Sequence, residues 1–199
     1  ESPLRVSDGP DVAHYTVGEN AFEVSQKSFW QSHKDAPRVL TEAVLQYAQL
    51  REGDHVLDLY GGVGLFAASF LSFIGKSGSV DIVEGSKSAT ADAVRNFEGK
   101  DNVHIYTGDV ARLITRFSSA DVIVLDPPRE GAGKDVIAQC AMLLPRAIVY
   151  VACDPAALAR DTAYLRDAGY ELENMRAFDL FPMTHHIESV AKFVPTKVS

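Results

Sequence analysis

Cys153 stands in Ala152-Cys153-Asp154-Pro155, after an apolar run and before a proline that opens a helical pattern. A thiol there sits at a helix N-terminus, whose partial positive charge favours the thiolate and lowers a reference pKa of about 8.5. Asp154 reads as the helix N-cap with Pro155 in the first helical position, and its charge opposes that shift. Cys140 lies inside an apolar helical pattern and reads as a small buried hydrophobe. Asp126-Pro127-Pro128-Arg129 follows a second apolar run. Two prolines fix the backbone after the carboxylate and delete two N–H donors, which suits a rigid, oriented acid; the alternative is an ordinary proline turn. Glu188 opens a run rich in Val and Ile, as a chemical group or as a solvated edge residue. His185 and His186 are adjacent and point in different directions, and with no third spaced ligand no metal site is expected.

A glycine cluster adds a second kind of chemistry. In Tyr60-Gly61-Gly62-Val63-Gly64-Leu65-Phe66-Ala67, Gly62, Gly64 and Ala67 match the G-x-G-x-x-G/A spacing of a nucleotide-binding turn. Glu84, 20 residues beyond Gly64, ends the next strand pattern, where an acid accepts hydrogen bonds from ribose hydroxyls. A dinucleotide enzyme would lay its pyrophosphate on the helix N-terminus. An S-adenosylmethionine enzyme would instead carry an acid after the third strand, and Asp109 supplies one. Asp109 also suits the N-cap of the short helix after it. Both cofactor readings stay open on these residues.

Positioning these groups requires a sheet. Apolar strand patterns at His55–Tyr60, Ser79–Glu84, Val103–Tyr106, Ala120–Asp126 and Ala147–Ala152 alternate with helical patterns of similar length. A first helix starts near Asp35 with Pro37 in its first turn, a second follows the glycine cluster through about Phe73, and others run over Lys87–Phe97, Val110–Phe117, Lys134–Leu144 and Ala156–Ala168. Two closing strands fall at Tyr170–Leu180 and Ile187–Val194, and Val12–Val17 with Ala21–Val24 form a hairpin around Gly18-Glu19-Asn20. Alternation of this kind predicts an α/β, doubly wound Rossmann-like sheet, mostly parallel with an antiparallel closing strand and flanked by helices. Ligands in such sheets sit beyond the carboxyl ends of the strands, where every candidate named above lies.

Composition narrows the classes. The chain has 199 residues, 46% hydrophobic and 23% charged, which suits a globular unit with a full core. No apolar run approaches the roughly 20 residues of a bilayer span, and no signal peptide pattern opens the chain. Two cysteines are too few for a disulfide framework, so a cytoplasmic, reducing setting is expected. A net charge of −8 argues against gripping nucleic acid by bulk charge.

Taken in order, Phe29-Trp30-Gln31, Asp58-Leu59-Tyr60-Gly61-Gly62-Val63-Gly64-Leu65-Phe66, Asp126-Pro127-Pro128-Arg129-Glu130-Gly131, Cys153-Asp154-Pro155 with Leu158-Ala159-Arg160-Asp161, and Phe181-Pro182-Met183-Thr184-His185-His186-Ile187-Glu188 carry a family pattern. Over residues 12–194 the chain resembles the catalytic domain of the RNA (uracil-5-)-methyltransferases, a branch of the class I S-adenosylmethionine-dependent methyltransferases. The resemblance implies Cys153 as nucleophile and Glu188 as general base. It implies Gln31, Tyr60, Gly62, Gly64, Leu65, Glu84, Asp109 and Asp126 as contacts for S-adenosyl-L-methionine, with Arg129 toward the substrate; Phe29 and Trp30 are each either a residue that stacks on the substrate base or part of the core. The implied substrate is a uridine in structured tRNA or rRNA, methylated at carbon-5 through a covalent Cys153 adduct without a metal.

Four positions depart from the family. Ala152 replaces its Ser and Asp154 its Asn in the cysteine motif, Gly61 replaces its Cys, and His33 stands where it has Asn. Asp154 beside the thiol would raise its pKa or move the pH optimum upward. Two other functions compete with the leading one. An amino-methyltransferase would use Asp126-Pro127-Pro128 to orient an exocyclic nitrogen, although Arg129 replaces the aromatic residue usual there. A non-catalytic nucleotide-binding domain would bind NAD. The expected organisation is a tail and hairpin from a connecting region at 1–30 and a catalytic domain at 31–199, a monomeric catalytic piece of a longer chain that lacks the family's upstream RNA-binding β-barrel. Such a piece should bind S-adenosylmethionine and bind RNA weakly.

Overall fold

The computed structural model describes residues 11–181, 183 and 187–197. An antiparallel hairpin, β1 (Val12–Val17) and β2 (Asn20–Ser25), precedes α1 (Ala36–Ala48). The chain then alternates: β3 (His55–Leu59), α2 (Leu65–Ile74), β4 (Ser79–Glu84), α3 (Lys87–Asn96), β5 (Val103–Thr107), α4 (Val110–Leu113), β6 (Val122–Leu125), α5 (Gly133–Met142), β7 (Ala147–Ala152) and α6 (Pro155–Asp167). It closes with β8 (Tyr170–Phe178) and β9 (Glu188–Pro195).

These strands form one seven-stranded sheet in the order β5-β4-β3-β6-β7-β9-β8. Pairing is parallel from β5 through β7, while β9 runs antiparallel to both β7 and β8. The last strand of the chain therefore inserts between β7 and β8 rather than adding at the edge. The chain builds outward from β3 through β4 and β5, then restarts at β6 on the other side. The switch point between β3 and β6 opens the ligand crevice of a doubly wound sheet.

Buried residues divide into two layers, one on each face. Leu40 and Val44 of α1, Phe66 and Phe70 of α2 and Ala89 and Ala93 of α3 pack on one side with Val56, Val80 and Val124. Val110, Ile114, Val136, Ile137, Leu158 and Leu165 pack on the other with Leu57, Leu125 and Tyr150. Burial on both faces explains why β6 and β7 read as unbroken apolar runs, every residue of each being buried. Strand β8, at the edge, exposes most of its residues.

The hairpin joins the same core. Phe22 and Val24 are buried in the first layer. The Ser25 amide and hydroxyl donate to Asp92 Oδ2 at 2.8 and 2.9 Å, and the Glu23 amide donates to Asn96 Oδ1 at 2.8 Å, so β2 is tied to α3. Asn96 Nδ2 also donates to the Val63 carbonyl at 3.1 Å, which links the hairpin to the glycine turn. The single helix expected over Val110–Phe117 is split into α4 and a 3₁₀ turn at Ile114–Arg116.

Candidate active site

Strand register assembles the site. In the parallel ladders Leu59 pairs with Val83 and with Leu125, so Tyr60, Glu84 and Asp126 are the next residues out on three neighbouring strands. In the antiparallel ladder Ala152 pairs with Ser189, so one step further Cys153 faces Glu188. Cross-strand neighbours of this kind have Cβ atoms roughly 5 Å apart. The Cys153 thiol and the Glu188 carboxylate meet because β9 runs backwards against β7.

A cavity of about 800 Å³ lies over this edge. It is lined by Phe29, Gln31, Tyr60, Gly62, Glu84, Asp109, Asp126, Arg129, Cys153 and Glu188. Leu65 lines a narrow adjoining recess with Trp30 and Gln31. Gly64 lines neither; a Cβ there would lie 2.2 Å from Phe97 Cε2, so in this chain the residue lets the turn close on α3. Trp30 stacks on Tyr15 at 4.6 Å and tilts against Phe22, whereas Phe29 is 69% exposed at the cavity mouth. Of the two aromatics, Trp30 is committed to packing and Phe29 is available to a ligand. Pro182, Thr184, His185 and His186 lie outside the described residues. Among the described residues no group of three or more His, Cys, Asp and Glu is arranged to hold a metal ion.

The glycine turn is held from inside. Fully buried Asp58 accepts from the Ala67 amide at 3.1 Å through Oδ2, while Oδ1 has no partner. Burial pushes its carboxyl up to about 7. A Cβ on Gly61 would lie 2.8 Å from Ile82 Cγ2 and 3.0 Å from the Asp58 carboxyl carbon, which explains glycine at this departure from the family. Tyr60 adopts φ +60, an uncommon conformation for a non-glycine residue, and burial pushes its hydroxyl up to about 12. Glu84 accepts from the Gly62 amide at 3.0 Å and the Ser86 amide at 2.6 Å, which fixes its carboxylate at the cavity wall. Gly62, at φ +57, has nothing within 4 Å of a built Cβ and presents bare backbone to the cavity. Asp109 caps α4 by accepting from the Arg112 amide at 2.9 Å, so it is both an N-cap and a cavity residue.

The electrostatics of the reactive pair differ from the sequence expectation. The helix N-terminus was expected to lower the Cys153 pKa; the structure raises it, first by burial and then by the charges of Glu188 and Asp126, with Arg129 opposing. Burial and two carboxylates delivered by other strands outweigh the end of one helix. Asp154 has no such effect: its Oδ1 accepts from the Ala157 amide at 2.7 Å and is spent as the cap of α6. Glu188 is 6% exposed rather than a solvated edge residue, and burial raises its pKa against the pull of Arg129. Asp126 is raised well above the usual carboxylate range by burial and by Glu188, Asp58 and Glu84.

Four carboxylates, from Glu84, Asp109, Asp126 and Glu188, line the cavity against Lys27 and Arg129. That donor set suits a cationic sulfonium and ammonium group with ribose hydroxyls, and it disfavours a pyrophosphate. The volume lies within the range of small-molecule sites, about 300–1,000 Å³. Phe181, read in the sequence only as part of the family pattern, also lines the cavity, and Lys27 and Ser86 line it and escape the sequence reading. Lys27 and Ser86 sit in a loop and at a helix cap, where no periodicity marks them.

Comparison with known proteins agrees with this geometry. The family model for tRNA (uracil-5-)-methyltransferase matches residues 111–193, from α4 into β9 and including Cys153 and Glu188. The model for protein-L-isoaspartate(D-aspartate) O-methyltransferase matches residues 13–141, the half with the glycine turn, Glu84 and Asp109, and stops before Cys153. A protein named as an uncharacterized RNA methyltransferase of Streptomyces avermitilis is 48% identical over 87% of this chain and 41% of its own length. One of Corynebacterium glutamicum with the same description is 36% identical over 98% of this chain and 48% of its own. The Pyrococcus abyssi tRNA (uracil-54, C5)-methyltransferase, solved with S-adenosyl-L-homocysteine, superposes with a TM-score of 0.78 at 27% identity, over 98% of this chain and 49% of that one. The chain thus spans less than half the length of these relatives.

Proposed function

We propose that this chain, which matches the tRNA (uracil-5-)-methyltransferase family model and relatives named RNA methyltransferases, methylates carbon-5 of a uridine in structured RNA, tRNA or rRNA. The observation that carries this reading is the antiparallel register that sets Glu188 across from Cys153 within the acidic cavity of Gly62 and Glu84. The cofactor is S-adenosylmethionine, which supplies an electrophilic methyl group when bound. Glu84 would hold its ribose, Asp109 its adenine end, and Gln31, Tyr60, Leu65 and Asp126 the remainder.

Each residue type answers a step that uracil chemistry requires. Carbon-5 of uracil is a poor nucleophile. The Cys153 thiolate adds to carbon-6, and the electron pair of the ring double bond moves to the carbonyl system as an enolate, which makes carbon-5 nucleophilic. Once carbon-5 carries the methyl group, Glu188 removes the remaining carbon-5 proton. The double bond reforms and the thiolate leaves. Phe29, exposed at the mouth, stacks on the uracil or a neighbouring base, and Arg129 meets the anionic substrate. A base buried in a helix cannot reach Cys153, so the target is a loop nucleotide or one flipped from its stack.

With a net charge of −8, this part of the protein binds RNA weakly alone, and the grip comes from the rest of the longer chain. No described helix is long and apolar enough to cross a membrane. RNA carrying 5-fluorouridine tests the reading, because fluorine at carbon-5 cannot be removed as a proton. A covalent protein–RNA complex is expected from the wild type and is expected to vanish in Cys153→Ala. Trapping that survives the substitution refutes it, and full turnover in Cys153→Ala would favour an amino-methyltransferase.

A further inference from the structure

Asp161 lies in α6, yet it is fully buried and carries a dense set of bonds. Its Oδ2 accepts from the Tyr150 hydroxyl at 2.7 Å, from the Ala132 amide at 2.8 Å and from the Gly133 amide at 3.1 Å. Its Oδ1 accepts from Arg160 Nε and Nη2 at 3.0 and 2.7 Å. Arg160 Nη2 also donates to the Glu130 carbonyl at 2.6 Å, and the Tyr150 hydroxyl accepts from the Ala132 amide at 3.0 Å. Helix α5 has no side-chain cap of its own at Ala132, so a carboxylate from another helix takes over the first free N–H groups.

The bonds to Glu130, Ala132 and Gly133 all land on one loop. It leaves β6 at Asp126, stiffens through Pro127 and Pro128, presents Arg129 to the cavity and enters α5 at Gly133. The Gly131 amide donates to the Pro128 carbonyl at 2.8 Å, closing a turn around Arg129. Gly131 itself has φ +79, and a Cβ there would lie 2.6 Å from both Arg160 Nη2 and Asp161 Oδ2. The loop is therefore pinned by the prolines before Arg129 and by this clasp after it.

We infer that Asp161, with Tyr150 and Arg160, is a positioning residue for Arg129, holding its guanidinium toward the Cys153–Glu188 pair. This goes beyond the proposed methylation and rests on it for the meaning of that pair. Asp161 touches no substrate; it acts through the loop. A merely structural role would change stability alone, whereas the clasp also sets the charge felt at the thiol.

The pH profile of Cys153 alkylation by iodoacetamide, followed by mass spectrometry on the full-length protein, reads that charge directly. Cys140 is fully buried and stays silent. Arg129→Gln removes the cation and should move the midpoint upward by about half a pH unit, since the guanidinium is exposed and screened. Asp161→Ala should move it in the same direction, and adding it to Arg129→Gln should add nothing further. Tyr150→Phe, which keeps the ring and deletes one member of the clasp, should give a smaller shift and decides the matter where Asp161→Ala does not fold. Unmoved profiles in Asp161→Ala and Tyr150→Phe beside a shifted Arg129→Gln overturn the inference. So does an unmoved Arg129→Gln. Trapping on 5-fluorouridine RNA is scored separately in the wild type: its absence sinks the methylation reading and leaves the alkylation result standing.

Discussion

Replacing Glu188 by Gln should make the Cys153 thiol more reactive and the enzyme far less active. The carboxylate is 6% exposed and faces Cys153 one step beyond the Ala152–Ser189 pair, and its charge raises the thiol pKa. At an effective dielectric of about 20, a unit charge roughly 6 Å from the sulfur is worth about 3 kcal/mol, or about two pKa units. Cys153 is only half-buried, so solvent screening reduces this to about one unit. The thiolate population below its pKa then rises about tenfold, but nucleophilicity falls with basicity, and the net gain in alkylation is about three- to fourfold. The comparison belongs at mildly alkaline pH, where a carboxyl with a raised pKa is ionised in the wild type. Turnover responds in the other direction, because loss of a positioned base costs roughly 10²- to 10⁴-fold. With the proton left on carbon-5, the Cys153 adduct should accumulate on ordinary uridine RNA. Iodoacetamide kinetics and denaturing gels of the RNA complex measure the two effects. Slower alkylation in Glu188→Gln, or turnover within threefold of wild type, would refute the pairing.

Other consequences of the same geometry are open to measurement. Glu84→Gln keeps an acceptor for the Gly62 amide but loses the charge offered to ribose, so S-adenosylhomocysteine should bind about ten- to a hundredfold more weakly by calorimetry; unchanged affinity would remove Glu84 from the cofactor site. Gly64→Ala forces a Cβ to 2.2 Å from Phe97 at φ +91 and should cost about 2–5 kcal/mol in denaturant unfolding, of which Phe97→Ala in the same chain relieves the steric part only. His55 Nε2 lies 2.5 Å from Asp81 Oδ2, and that hydrogen bond raises the His55 pKa against its partial burial, with the charges of Asp81 and Asp121 adding. A raised folded pKa means stabilisation that is complete below the unfolded value of about 6.5 and is lost as pH rises through the folded one. Melting temperature should therefore decline across that window, and Asp81→Asn should flatten the decline; an unaltered slope would show that His55 does not drive it.

The fold was legible because burial on both faces writes itself into the sequence. Strands β6 and β7 have no polar residue to interrupt them, and helices punctuated by Ser86, Asp109 and Asp154 as caps separate the strands cleanly. Where the signal is weaker, the reading lost resolution. The segment Val110–Phe117 reads as one helix, but its last turn tightens to 3₁₀. The pattern also marks two closing strands without their order, since β9 takes the inner place through contacts with β7 that no local periodicity encodes.

The site divides along the same line. Residue types at strand ends can be read directly, because in a doubly wound sheet those ends share one edge, and Gly62, Glu84, Asp109, Asp126, Cys153 and Glu188 all arrive at one cavity. What each group experiences there depends on its neighbours in space. What is adjacent in sequence points two ways, a helix N-terminus lowering the thiol pKa and Asp154 opposing it. Asp154 turns out to be occupied with the Ala157 amide, and the deciding charges come from Glu188, 35 residues away in the chain, and Asp126, 27 away. Asp161 was visible only as one member of a family motif, since a buried aspartate inside a helix carries no sign of which loop it holds. In the proposed mechanism the carboxylate that pushes the thiol up is also its general base, which would protect Cys153 from stray alkylation and oxidation while the site is idle. The presentation of Arg129 to the pair would then set the rate of adduct formation, through the loop after β6 and the clasp behind it.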